Sequence, residues 1–112
     1  MENISVDNLF GLYIDTINHC GEFLLKSEDE EIGYRIFEEF DIGAISFLHE
    51  QNLKILVDEG MIDNATSDLS KELRAKFMKL QGSSIWGVEF VKTSKEWLEI
   101  MKLSDKIREA VK

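Results

Sequence analysis

The sequence predicts an all-α fold, on three observations. None of the 112 residues is proline and β-branched residues seldom run together. Apolar residues recur at alternating spacings of three and four, which lays a stripe along one face of a helix. Ser27-Glu-Asp-Glu30 and Thr93-Ser-Lys-Glu96 have the form of capping boxes, in which a hydroxyl and a carboxylate each satisfy a free amide at a helix start. The expectation is one domain over 1–112, a bundle-like packing of four or five helices with one extended or short β segment near 83–92.

The first helix is expected over about 6–26. Ser5 is its N-cap, and Val6, Phe10, Tyr13, Ile17, Cys20 and Leu24 form a stripe widened by Leu9 and Ile14. A second helix starts at the first capping box, turns Ile32, Ile36, Phe37 and Phe40 inward, and breaks near Asp41-Ile-Gly43. A third, about 43–58, has Ile45, Leu48, Leu53 and Leu56 on its apolar side, with Gly60 placed for a left-handed C-terminal residue.

Asp63-Asn-Ala-Thr-Ser67 is expected as a turn. A fourth helix over about 68–81 follows, with Leu69, Leu73, Phe77 and Leu80 inward, Glu72 and Lys76 paired at i,i+4, and Lys71, Arg74, Lys76 and Lys79 on a basic outer face. Gly87 and the Val88, Phe90, Val91 cluster favour an extended segment after it, packed by Ile85, Trp86 and Phe90. The second capping box opens the last helix, with Trp97, Ile100, Met101, Leu103, Ile107 and Val111 facing inward.

A 44% hydrophobic content suffices for a core and excludes a disordered tail, while no apolar run approaches the roughly 20 residues of a membrane-spanning helix. Residues 1–7 lack the basic and apolar regions of a secretory leader. A lone Cys20 excludes an intramolecular disulfide and suits a reducing compartment, so the cytoplasm is expected.

The net charge of −9 is unevenly spread. Residues 1–63 hold fifteen acids against Lys26, Arg35 and Lys54, whereas 64–112 carry ten Lys or Arg against seven acids. Such a negative field disfavours nucleic acid and anionic membrane as partners and attracts basic ones. The acids concentrate in Glu28, Asp29, Glu30, Glu31, Glu38, Glu39 and Asp41, relieved only by Arg35. The helix dipole accounts for Glu28 to Glu31 at a helix start but not for Glu38, Glu39 and Asp41 towards the other end. These seven, with Trp86 as an aromatic anchor, are the candidate partner-binding residues.

Other constellations carry less. His19-Cys20 and His49-Glu50 lack the ligand number of a zinc site and the Glu-x-x-His pairs of a di-iron bundle, so no metal and no cofactor is expected. Asp58 to Thr66 fails the spacing of a calcium loop. Asp15 and His19 lie at i,i+4 without a nucleophile, and there is no phosphate loop or nucleophile elbow; the chain is not expected to be an enzyme.

Ile45-Ser-Phe-Leu-His-Glu50, Lys71-Glu-Leu-Arg74 and Ser94-Lys-Glu-Trp-Leu-Glu-Ile-Met-Lys-Leu-Ser-Asp105 together resemble the small helical immunity proteins of bacterial contact-dependent growth inhibition and related polymorphic toxin systems. The resemblance is one of size, acidity, helical order and the late Trp-containing segment, without a diagnostic motif. It implies a cytosolic inhibitor, monomeric when free, that binds a cognate toxin's basic catalytic domain, commonly a nuclease. Two other readings stand beside it. One is a non-catalytic helical adaptor or regulatory subunit using Lys71, Arg74 or Trp86; the other is a small enzyme or metal site around Asp15, His19 and His49.

Overall fold

The computed structural model describes residues 5–111; residues 1–4, on which the reading of the N-terminus partly rests, and residue 112 lie outside the described residues. It is a compact all-α fold. Helix α1 (Val6–Asn18) starts where Ser5 accepts from the Asn8 amide. It ends about two turns earlier than the stripe predicts. Gly21 breaks from the helix, and a short 3₁₀ turn (Glu22–Lys26) continues the path. Cys20 and Leu24 are nevertheless buried, so the apolar spacing identified the core residues while missing the bend between them.

Three consecutive stretches, α-helical Asp29–Ile32, π-helical Gly33–Phe40 and α-helical Asp41–Ser46, form one continuous helix, α2, over 29–46. Its inner line is Ile32, Ile36, Phe40 and Ala44, with Phe37 half-buried beside it. The Ser27 capping box does not form. Glu28 occupies the cap position without a side-chain bond, and the Ser27 hydroxyl donates back to Phe23 O.

The predicted break at Asp41-Ile-Gly43 is absent because Gly43 serves a helix crossing rather than a turn. A Cβ there would lie 2.8 Å from Thr16 Cβ on α1, closer than real side chains approach. Asp41 accepts from Gln81 Nε2 at 2.8 Å, which ties α2 to the end of the fourth helix. Because the helix runs on, Ala44 turns inward and Ile45, predicted inward, is exposed, while Leu48 just beyond the helix end is buried as expected. The chain breaks instead at 47–49, where Asn52 Nδ2 and Arg74 Nε donate to the Ser46 and Ala44 carbonyls, satisfying acceptors at the end of α2.

Helix α3 (Glu50–Asp58) is capped by His49, whose Nδ1 accepts from the Gln51 amide, and Gly60 takes the expected left-handed conformation, φ +75°. Helix α4 (Asn64–Leu80) begins four residues before the predicted start. Asp63 accepts from the Thr66 amide at 2.7 Å, so the supposed turn is a capped first turn. Thr66, Ser67 and Ser70 are buried there, and Ser70 is hydrogen-bonded to the Tyr13 hydroxyl at 2.7 Å and donates to Thr66 O at 2.9 Å. Polar residues on its inner face hid this helix start from a hydropathy reading.

No strand occurs among the described residues, which corrects the extended or β reading of 83–92. After Gly82, at φ +78°, the chain turns and forms a single helical turn, α5 (Val88–Val91). Its amides find local carbonyls, Phe90 N on Gly87 O and Ser94 N on Phe90 O, so no sheet partner is required. Trp97 Nε1 pins the preceding segment by donating to Ile85 O at 2.8 Å.

Helix α6 (Lys95–Ala110) is capped by Ser94, one residue later than the predicted box, with its hydroxyl accepting from the Glu96 and Trp97 amides. Trp97, Ile100, Met101 and Ile107 are buried and Leu103 and Val111 half-buried. α4 and α6 pack most extensively, with α1 against α6 and α3. Phe37, Phe40, Phe77, Trp86 and Trp97 meet mainly edge to face, with ring centroids 4.9–6.0 Å apart, and link α2, α4 and α6.

Candidate functional site

Helix α2 carries the acidic run, from Glu28 at its cap to Asp41. Asp29, Glu30 and Glu31 occupy its first turn, where the free amide ends favour negative charge. Glu31 is internally engaged, accepting from Arg35 Nε at 3.0 Å and from the Ser27 hydroxyl. Arg35 in turn lies 5.0 Å over the ring of Phe23, which is itself exposed.

Glu28, Asp29, Glu30 and Glu38 are exposed and have no cationic partner among the described residues. Several other surface acids do have one. Glu50 lies near Lys71, Asp58 near Lys54, Glu72 and Glu99 near Lys76, and Asp105 pairs with Arg108.

The remaining predicted site residues are more occupied. Glu39 is half-buried and interacts with the Tyr34 hydroxyl; its negative charge is the largest of the influences that push the Tyr34 phenol above its ordinary value. Asp41 is half-buried and bound to Gln81. Trp86 lies half-buried against Phe37, Phe77 and Trp97, 4.9 Å from Phe37 on α2.

The sequence reading missed the apolar residues that share this face. Tyr34, Ile42 and Ile45 are exposed by 50%, 62% and 48%. Glu31, Tyr34, Glu38, Ile42 and Ile45 follow one another at steps of three and four, the outward counterpart of the inner line Ile32, Ile36, Phe40 and Ala44. That complementary spacing was the signal, obscured by expecting the helix to end at Gly43.

The alternative constellations hold less. Asp15 Oδ2 lies 3.7 Å from His19 Nε2, and His19 Nδ1 is buried with no hydrogen-bond partner among the described residues. His49 is committed to capping α3. Among the described residues no three His, Cys, Asp or Glu side chains stand together as a metal site. Burial pushes the Cys20 thiol up to about 12, against smaller lowering influences from Ser104 and Arg108. A thiol held neutral is a poor nucleophile at neutral pH.

The basic face is also largely spoken for. Arg74 holds the Ala44 carbonyl, Lys71 faces Glu50, and Lys76 sits between Glu72 and Glu99. A surface cleft of about 390 Å³ beside Lys76 and Lys79 is lined also by Glu96 and Glu99, so it presents no single sign of charge.

These features define a class: an all-α protein whose most distinctive surface is one acidic helix face. No helix among the described residues is long and apolar enough to cross a membrane. Compared with family models, curated proteins and solved structures, the chain matches none.

Proposed function

We propose that this chain is a cytoplasmic, non-catalytic immunity protein that binds and neutralises a cognate toxin domain, a nuclease with a basic substrate cleft, through the acidic face of α2. The observation that carries the reading is the group Glu28, Asp29, Glu30 and Glu38, four exposed carboxylates without internal cations gathered along one helix, while several other surface acids are paired. Bringing unpaired like charges together raises the energy of the free protein, and a basic partner relieves it. Opposed potentials also speed encounter and reject wrong partners. The resemblance to small helical immunity proteins supplies the toxin as the partner class.

The test is affinity capture from the organism that carries the gene, with wild type beside a variant bearing Glu30→Lys, Glu31→Lys, Glu38→Lys and Glu39→Lys. Recovery by wild type alone of one basic protein whose expression arrests growth, with growth restored by co-expression of wild type, supports the reading. The same partner held equally by both proteins moves the interface off α2, and a housekeeping complex in its place makes the chain an adaptor.

A further inference from the structure

The outer face of α2 changes character along its length, and the acids describe only its first part. Glu28 to Glu31 stand at one end, Tyr34 and Glu38 follow, and Ile42 and Ile45 stand at the other end, at successive steps of three and four. The core does not use the isoleucines, since the inner line of this helix is complete with Ile32, Ile36, Phe40 and Ala44. Single exposed apolar residues are ordinary on protein surfaces. Two neighbouring isoleucines one turn from an unpaired carboxylate, on the same line as an exposed tyrosine, form a graded surface instead.

Resting on the acidic-face reading above, we infer that the partner-binding surface extends through Tyr34 onto Ile42 and Ile45. Its occupant is a protein whose Lys- or Arg-bearing rim adjoins an apolar socket. The carboxylates govern how fast the complex forms, and the isoleucines govern how long it lasts. Charge complementarity selects this occupant. A second copy docked in parallel would bring its own Glu28 to Glu31 and Glu38 against the same acids, one docked antiparallel would set Glu38 against Glu38 and supply no cation to Glu28 to Glu31, and an anionic membrane would be repelled by them.

The division of labour follows from range. Charges act over roughly 8–10 Å in physiological salt and so bias the approach, whereas apolar burial acts only on contact. β-branched isoleucine has little χ1 freedom to lose when it is buried, which suits it as an anchor.

The probes are two peptides of equal length and charge: a helical Lys/Leu peptide with one apolar face, and a Lys/Ser peptide without one. Each is titrated into the ¹⁵N-labelled full chain, and binding rates are followed by surface plasmon resonance. The Lys/Leu peptide is expected to bind about tenfold more tightly, through slower dissociation, and to shift the amides of Ile42 and Ile45 as well as those of 28–39. In a variant carrying Ile42→Gln and Ile45→Gln, that preference is expected to fall to within about twofold while association stays unchanged. Both positions are exposed, so the thermal midpoint verifies that the variant folds as wild type.

A preference that persists in the double variant, or shifts centred away from α2, overturns the apolar extension. The variant Glu28→Lys, Glu30→Lys, Glu38→Lys separates the two claims. If it binds both peptides as wild type does, the acidic face itself is not a binding surface. If it loses both while the glutamine variant keeps its preference, only the present inference fails.

Discussion

The guanidinium of Arg108, near the end of α6, donates at 2.9 Å to the carbonyl oxygen of Ile17 at the C-terminal end of α1. The same nitrogen reaches the Cys20 carbonyl at 2.9 Å, and the Ser104 hydroxyl donates to Ile17 O at 3.1 Å. Asp105, paired with Arg108, accepts from the Glu22 amide at 3.1 Å. Acceptors freed where α1 stops and the donor opening the 3₁₀ turn are thus satisfied by one turn of the last helix. A cation at a helix C-terminus also suits the dipole.

Replacing Arg108 by Met keeps much of the stem and removes the donors. We expect a loss of about 2 kcal/mol, the scale of charge-assisted hydrogen bonds to backbone acceptors. Arg108→Lys should recover part of it, because one ammonium replaces a planar fork. Urea unfolding at constant m-value measures both, and a change below about 0.5 kcal/mol for Arg108→Met would contradict the assignment.

Two glycines should respond with opposite sign to the same methyl group. Gly43→Ala drives a Cβ into Thr16 and should cost about 1–3 kcal/mol, with much of that cost removed in a Thr16→Gly background. Gly11, exposed within α1 and with nothing inside 4 Å of its added Cβ, should gain about 0.5–1 kcal/mol as Ala. A double-mutant cycle on Gly43 and Thr16 showing no coupling would refute the crossing.

The aromatic cluster gives a third expectation. Trp97→Phe leaves the Ile85 carbonyl without its donor and should cost about 1–2 kcal/mol, with increased amide exchange across 83–87. Trp86→Ala opens the half-buried side of the same cluster and should cost about 2–3 kcal/mol. Denaturant midpoints and hydrogen exchange test both, and an unchanged midpoint for Trp86→Ala would remove it from the structural core.

Stability should decline on the alkaline side. Cys20 is held at about 12 against an ordinary value of 9.0, and burial raises Tyr13 above 10.0. Both groups bind their protons more tightly when folded. Their contribution is complete below the unfolded values and is lost as pH rises from about 9 towards the folded ones, at up to about 1.4 kcal/mol per pH unit for each group. Urea midpoints from pH 7 to 11 should fall, and Cys20→Ala should flatten the fall. The intact fold should leave the thiol unreactive towards a disulfide reagent at pH 8.

On the acid side the sign reverses for Asp63, lowered by its hydrogen bonds to Thr66. Its capping contribution is present above 3.8 and is lost as pH falls through the folded value. Asp63→Ala should therefore lower the urea midpoint at pH 7 and make progressively less difference below pH 4. A difference that stays constant with pH would show that the carboxylate charge is not what caps α4.

The helical class, the buried line of α1, the inner residues of α2 and the last helix were legible because a period of 3.6 registers burial directly. So was the acidic run, since charge is a property of the chain. Three kinds of feature were not. Gly43 reads as a breaker unless Thr16 is known to lie beside it, and Ile45 reads as core while the helix is taken to end there. The start of α4 reads as a turn because its buried face holds Thr66, Ser67 and Ser70, whose polarity is answered partly by Tyr13 on another helix.

By itself, the sequence determined that this protein is helical, acidic in its first half and built on a core of alternating three- and four-residue steps. Those properties follow from local periodicity and from counting charges. The tertiary structure alone decided where α1 ends, that α2 continues through Gly43, which acids remain unpaired, and that Ile42 and Ile45 stand beside Glu38 on the outside. The end of α1, the run through Gly43 and the pairing of Glu50 and Glu99 depend on partners distant in sequence, Arg108, Thr16 and the lysines Lys71 and Lys76 of α4, and no local pattern encodes such a meeting.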